Sequence, residues 1–441
     1  MKRTRPLLPL TLILLCVTSS CSLQTGTPVP AEPSMTPLPA DTIATPSPEI
    51  TLELEKFEFV PAPDGTLFLG TFENSLASDL VDLRIDLDLW TPDAALVASQ
   101  VIRPVPDSLA PGERAGVWAY VDSASGDLHP SLSIASHSSG PLFHSDVDVA
   151  ILDTRQTASG ETILLGELTN RQVGYGRLND LILLPESIGE GSQGIAKIML
   201  ANRGLPPGEA VPFASGVLGE VPEEGWQVFI DASPSGTPDR PPLEIFTEPV
   251  LRLSEQGRPF YILQLRNLGS LPRWVSGEAV FSHDDTVMAL VDLSTPVPIL
   301  PGEIRPISLD EFIGLPTGFE PSPEAFQDWQ VELKIDSLAS RPALAEVQPL
   351  RIEVLQFEVI GDLIFMRGEL SNDNPGAVEH PSALITARDI GGRLLNSAWS
   401  TPRERLAPGA STRFELTMLL PAGTKAELSE FDLQGFGTAA P

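Results

Sequence analysis

Apolar and charged residues alternate strictly along Val81-Asp82-Leu83-Arg84-Ile85-Asp86-Leu87-Asp88-Leu89. A period of two belongs to a β-strand that packs one face inward and gives the other to water. No long stretch carries apolar residues at helical spacing. The best helix signal is the short Ser322-Pro323-Glu324-Ala325-Phe326, in which Ser serves as N-cap and Pro fits the first helical position. The pattern predicts an all-β protein with at most one helical turn in a loop.

The strands recur in a fixed frame. Four segments end in asparagine: Gly70-Thr71-Phe72-Glu73-Asn74, Gly166-Glu167-Leu168-Thr169-Asn170, Leu263-Gln264-Leu265-Arg266-Asn267 and Gly368-Glu369-Leu370-Ser371-Asn372. Each is followed at nearly equal distance by a Pro-Gly turn: Leu109-Ala110-Pro111-Gly112, Leu205-Pro206-Pro207-Gly208, Leu300-Pro301-Gly302 and Leu406-Ala407-Pro408-Gly409. The asparagines stand about one hundred residues apart, the size of an immunoglobulin-like sandwich. In such a unit Pro-Gly fixes a tight turn, the leucine before it plugs the end of the sandwich, and asparagine bonds backbone where strand gives way to loop. Trp226 and Trp329 begin matching strands, Trp226-Gln227-Val228-Phe229 and Trp329-Gln330-Val331-Glu332, and read as packing residues rather than a sugar platform.

The first fifty residues follow other rules. Met1 to Arg5 is basic, Pro6 to Val17 is apolar but too short to span a bilayer, and small residues precede Cys21, the layout of a secretory signal peptide. Val17-Thr18-Ser19-Ser20-Cys21 resembles a bacterial lipobox, with Thr18 where Leu is usual. The resemblance implies lipidation of Cys21 and loss of residues 1–20. The only other cysteine, Cys16, would leave with that segment, so disulfides, cysteine metal sites and a thiol nucleophile are not expected. Residues 21–49 are rich in Thr, Pro, Ala and Ser and read as a disordered, extended tether.

The units resemble the FxLYD-type extracytoplasmic domain of bacterial lipoproteins. The last one carries the resemblance best, through Gly368-Glu369-Leu370-Ser371-Asn372, Arg388-Asp389-Ile390-Gly391-Gly392, Leu406-Ala407-Pro408-Gly409 and Phe414. The resemblance implies β-sandwiches in an envelope setting and brings no catalytic residues. The expected organisation is four tandem immunoglobulin-like β-sandwich modules, at 50–138, 139–236, 243–340 and 345–438. The connectors are Pro-rich, as in Ser233-Pro234-Ser235-Gly236-Thr237-Pro238 and Ser340-Arg341-Pro342, and neighbouring modules are expected to touch through modest interfaces in an extended array.

The formal net charge is −31, and loss of Lys2, Arg3 and Arg5 makes it more negative. Such a surface repels phosphate backbones, so nucleic acid is not an expected partner. Gly-x-Ser-x-Gly, a Walker loop, His-Glu-x-x-His and an EF-hand loop are absent from the sequence. His129, His137, His144, His283 and His380 show no ligand spacing, and no metal site is expected. Asp86 with Asp88, and Asp146 with Asp148 beside His144, are the carboxylate clusters. They read as solvated strand faces rather than calcium ligands or a glycosidase pair.

The expectation is therefore a non-catalytic lipoprotein, needing no cofactor, anchored through Cys21 on the extracytoplasmic face of a bacterial membrane. It would act as a spacer or as an adhesion and binding module for a protein or glycan. The rival is a solute- or carbohydrate-binding lipoprotein, which needs a concave pocket or exposed aromatics. A carboxylate-dependent hydrolase comes third.

Overall fold

Alternation becomes burial in the strand Val81–Trp90, where Leu83, Ile85, Leu87 and Leu89 are buried and the aspartates between them face outward. A computed structural model of the chain describes residues 51–440, apart from 63–64, 123–126, 139, 143, 145, 158–159, 189–193, 223–224, 337–339, 404 and 425–427. The signal segment, Cys21 and the Thr/Pro-rich stretch lie outside the described residues. Among the described residues the regular structure is strand, in antiparallel sheets. Ser322–Phe326 is not a helix. Ser322 Oγ does accept the Ala325 N–H at 3.1 Å, but the segment closes into turns and the chain leaves it as the strand Gln330–Ile335.

Four apolar cores follow one another along the sequence. Around the first, Leu54–Ala62, Gly65–Glu73 and Arg114–Asp122 form one sheet, and Thr51–Leu52, His129–Ser138, Val81–Trp90 and Leu96–Ile102 the other. The third has Leu243–Leu253, Pro259–Asn267 and Ile304–Leu309 opposite Thr286–Asp292, Gly277–His283 and Gln330–Ile335. In the second unit Gly194–Ala201 pairs with both Tyr175–Pro185 and Ala210–Gly219, joining the two layers. In the fourth the long strand Val347–Ile360 does the joining, pairing first with Leu428–Ala439 and then with Leu363–Ser371.

The repeated asparagines lock each unit the same way. Asn74, Asn170, Asn267 and Asn372 have no exposed surface. Each donates Nδ2 to the carbonyl four residues on: Ser78 at 3.0 Å, Gly174 at 2.9 Å, Leu271 at 2.8 Å and Gly376 at 2.9 Å. The same amide also reaches across to Leu109, Leu205, Ile299 and Leu406 at 3.1, 2.9, 2.8 and 3.0 Å. Its Oδ1 accepts the N–H two residues on. The Pro-Gly glycines return a backbone bond to the asparagine carbonyls from φ of +81°, +71°, +75° and +74°, values that L side chains resist. One residue differs from the sequence reading: in the third unit the plug is Ile299, fully buried, while Leu300 is 40% exposed. The Pro301-Gly302 turn itself is unchanged, and the plug stands three residues before the glycine as in the other units, one residue earlier than Leu300.

Residues Glu49–Pro441 form one compact body, and the reason lies between the cores. Four further apolar clusters each join two consecutive units, and in one of them Val297 of the third meets Leu384 and Phe436 of the fourth. Leu67, Leu69 and Val105 of the first meet Ile182, Leu184, Ile195 and Phe229 of the second. Ile163, Leu165 and Ala214 of the second meet Val280 and Leu290 of the third. Phe260 and Ile262 of the third meet Leu363, Leu394 and Leu419 of the fourth. Neighbouring units touch, as expected, and do so through sheet faces, while Ser233–Ser235, read as connector, is the end of the strand Trp226–Ser235.

Candidate functional site

The carboxylate clusters read from the sequence do not assemble. Asp86 and Asp88 lie on the outward face of their strand, at residues paired with Ser133 and Ser131. Asp148 is paired with Arg171, and the Asp146 carbonyl accepts the Arg171 N–H at 2.8 Å. His144 turns instead to Glu113 of the first unit, with Nε2 3.4 Å from Oε2. Among the described residues no group of three His, Cys, Asp or Glu side chains is placed to hold a metal ion. Trp226 packs on the second core and Trp329 on the third. All six tryptophans of the chain, Trp90, Trp118, Trp226, Trp274, Trp329 and Trp399, are half-buried.

Polar groups concentrate at the seams between units. At the first seam Arg103 donates Nε to Asp107 at 2.7 Å and lies 3.9 Å from Asp231 of the second unit. Burial pushes the Asp231 carboxyl up, an Asn179 hydrogen bond opposes this, and Asp107 adds to the rise. Lys197 sits 4.2 Å above the Trp118 ring, a cation–π contact.

At the second seam Arg155, with a side chain only 9% exposed, donates to the carbonyls of Met288 at 2.6 Å, Gly314 at 3.0 Å and Val287 at 3.1 Å. Thr317 donates its N–H to Gln156 at 3.0 Å beside it, and Arg203 N–H meets Asp336 at 2.6 Å. Glu278 lies on the same sheet face as Val280 and is fully buried, with neither carboxylate oxygen hydrogen-bonded among the described residues.

At the third seam Arg305 occupies the strand position held by Ala115, Val211 and Thr412 in the other units, opposite Leu265. Its guanidinium bonds Glu303 through Nε at 2.6 Å and stands 4.9 Å from Phe436 and 5.8 Å from Trp399 of the fourth unit. Burial lowers its basicity, and Glu303 works against that. Two adjoining hollows of about 350 and about 380 Å³ here share Asp310, Glu311 and Thr417. Their size is at the small end for ligand pockets, and their rim is acidic. A larger hollow of about 540 Å³ lies at the second seam between Tyr175, Arg240, Leu243 and Leu333.

Sequence reasoning did not single out Arg155, Glu278 or Arg305. A signal existed for two of them: Glu278 interrupts the apolar run Gly277-Glu278-Ala279-Val280-Phe281, and Arg305 breaks a column of small residues across the repeats. Arg155 carries no such mark, since its partners are backbone carbonyls of another unit. Compared with protein-family models and with curated proteins, the chain matches none.

Proposed function

We propose that the chain is a non-catalytic cell-envelope lipoprotein, held on the extracytoplasmic face of a bacterial membrane by lipid on Cys21. Its stacked units act as a spacer, or as an adhesion and binding module, for an extracellular protein or glycan. The observation that carries this reading is the use to which the repeated residues are put. The asparagines and Pro-Gly turns, the features common to all four units, are consumed in holding strand to turn. Arg155, Asp336 and Arg305 at the seams are likewise engaged with the neighbouring unit. A chain that spends its repeated chemistry on its own architecture is suited to presenting a surface rather than to turning over a substrate.

The test is expression with the native leader in a bacterium. The protein is expected to partition into detergent, and Cys21→Ala to release it into the aqueous phase. A mature wild-type chain with an unmodified N-terminus at Ser22 overturns the anchor.

A further inference from the structure

The seams obey a rule that both ends of the stack break. In each of the first three units one cross-strand pair faces the next unit: Leu69 with Trp118, Leu165 with Ala214, Ile262 with Ser308. Two residues earlier stands a further apolar contact, Leu67, Ile163 or Phe260, buried against the following unit. In the fourth unit the same pair is Arg367 with Glu415. Both are exposed, joined at 2.6 Å, and the guanidinium lies 4.8 Å over Phe365, the counterpart of Leu67. An ion pair covers the ring that would otherwise be the docking residue.

The receiving face shows the converse. Ile182 and Leu384 stand at the same remove from Asn170 and Asn372, and each is buried in a cluster shared with the preceding unit. Val280 serves the third unit after a loop one residue longer. In the first unit the equivalent of Ile182 is Asp86, and the equivalent of Leu184 is Asp88. No other unit packs on that face among the described residues.

We propose that these two charged faces are stops, so that the first and fourth units cap the stack. The surfaces they guard form a latent docking site for a second copy of this chain, held closed by Asp86 and Asp88 at one end and by Arg367 and Glu415 at the other. The donor and receiving faces differ, so the contact between copies is head-to-tail; such contacts grow into open filaments where the rotation between copies does not close a ring. Terminal repeats with a polar outer face are the general means by which stacked repeats end. Burying unpaired carboxylates against an apolar partner face is costly, which makes two aspartates an effective barrier.

The test uses the full chain with Cys21→Ala throughout, so that lipid cannot drive association. One variant opens the receiving end with the residues of the second unit, Asp86→Ile and Asp88→Leu. Another opens the donor end with those of the third, Arg367→Ile and Glu415→Ser. In sedimentation velocity the parent and each single-end variant are expected as monomers. An equimolar mixture of the two variants is expected to sediment as a one-to-one dimer, and the four-substitution chain as a concentration-dependent ladder of polymers.

A mixture of folded single-end variants that stays monomeric overturns the proposal. So does a parent chain that already self-associates and loses that association on Arg367→Ile with Glu415→Ser, since the ion pair would then be the dock itself. Should an opened variant misfold, moving the stop inward is the complementary test. Leu165→Arg with Ala214→Glu is expected to split the second unit from the third and add a thermal transition below that of the parent. A melt with no added transition counts equally against the proposal.

Discussion

Glu278→Gln is expected to make the protein more stable, by an amount that grows with pH. The wild-type carboxyl has no exposed surface, no hydrogen-bond partner for either oxygen among the described residues, and a place in the second seam. Burial pushes its pKa up to about 8; Lys334 opposes the rise, while Asp336, Asp292 and Glu332 add to it. Lys334 stands opposite in register but lies 3.6 Å from Glu332 and leans toward the Ala210 carbonyl at 3.5 Å, so its charge is shared. The unfolded chain ionises this group near 4.5.

Below that pH both states hold the proton and no difference arises. From there to about 8 the unfolded state loses its proton and the folded state keeps it, so stability falls by about 1.4 kcal/mol per pH unit. The whole effect is on the order of 5 kcal/mol, of which about 3 has accrued at pH 7. Glutamine keeps the shape and cannot ionise. Urea unfolding of both proteins across this range is expected to give matching free energies at the acid end and a gap of several kcal/mol at pH 8. Parallel curves would refute the reasoning, because they would mean that Glu278 is solvated or paired in the folded protein.

Three further substitutions test the architecture. Arg155→Ala strands three carbonyls at the second seam and is expected to cost about 3 kcal/mol, with amide hydrogen exchange rising first around Val287 to Gly314. Asn372→Ala removes the bonds to the Gly376 and Leu406 carbonyls and is expected to cost about 3 kcal/mol in chemical denaturation; Asn170→Ala should match it, since its geometry is the same. Gly116→Val places a Cβ 2.7 Å from Phe229 and 2.9 Å from Ile182. It is expected to loosen the first seam, measured as faster proteolysis of the first unit with the fourth unchanged.

Much of each unit was legible because its marks are local. The asparagines, the Pro-Gly turns and the alternation in Val81–Leu89 all act within one sandwich, and burial of Asn74, Asn170, Asn267 and Asn372 matches their reading as structural residues. The misread plug at Leu300 shows the limit of identity, since Ile299 fills the same space with another side chain. Ser322–Phe326 shows the limit of capping signals: the Ser322 bond forms, but one turn brings too few hydrogen bonds to propagate a helix. The seam residues were hidden because their partners lie in the next unit, where no local pattern points.

The seams nevertheless left a mark, visible once the repeats are set against each other. A strand buried on one face alternates, and a strand buried on both reads as an apolar run. Leu67-Phe68-Leu69, Ile163-Leu164-Leu165 and Phe260-Tyr261-Ile262 are such runs, with Phe68, Leu164 and Tyr261 turned into their own cores and their neighbours into the seams. The same strand of the fourth unit reads Phe365-Met366-Arg367, and among the described residues Arg367 and its partner Glu415 stay exposed. Likewise Leu181-Ile182-Leu183-Leu184 is continuous where Ile85-Asp86-Leu87-Asp88 alternates. The clean alternation along residues 81–89 therefore goes with a face on which no other unit packs among the described residues. Runs mark the strands covered by a neighbouring unit and alternation those left uncovered among the described residues, so a unit fused after the fourth is expected to stay undocked unless Arg367 and Glu415 are replaced as well.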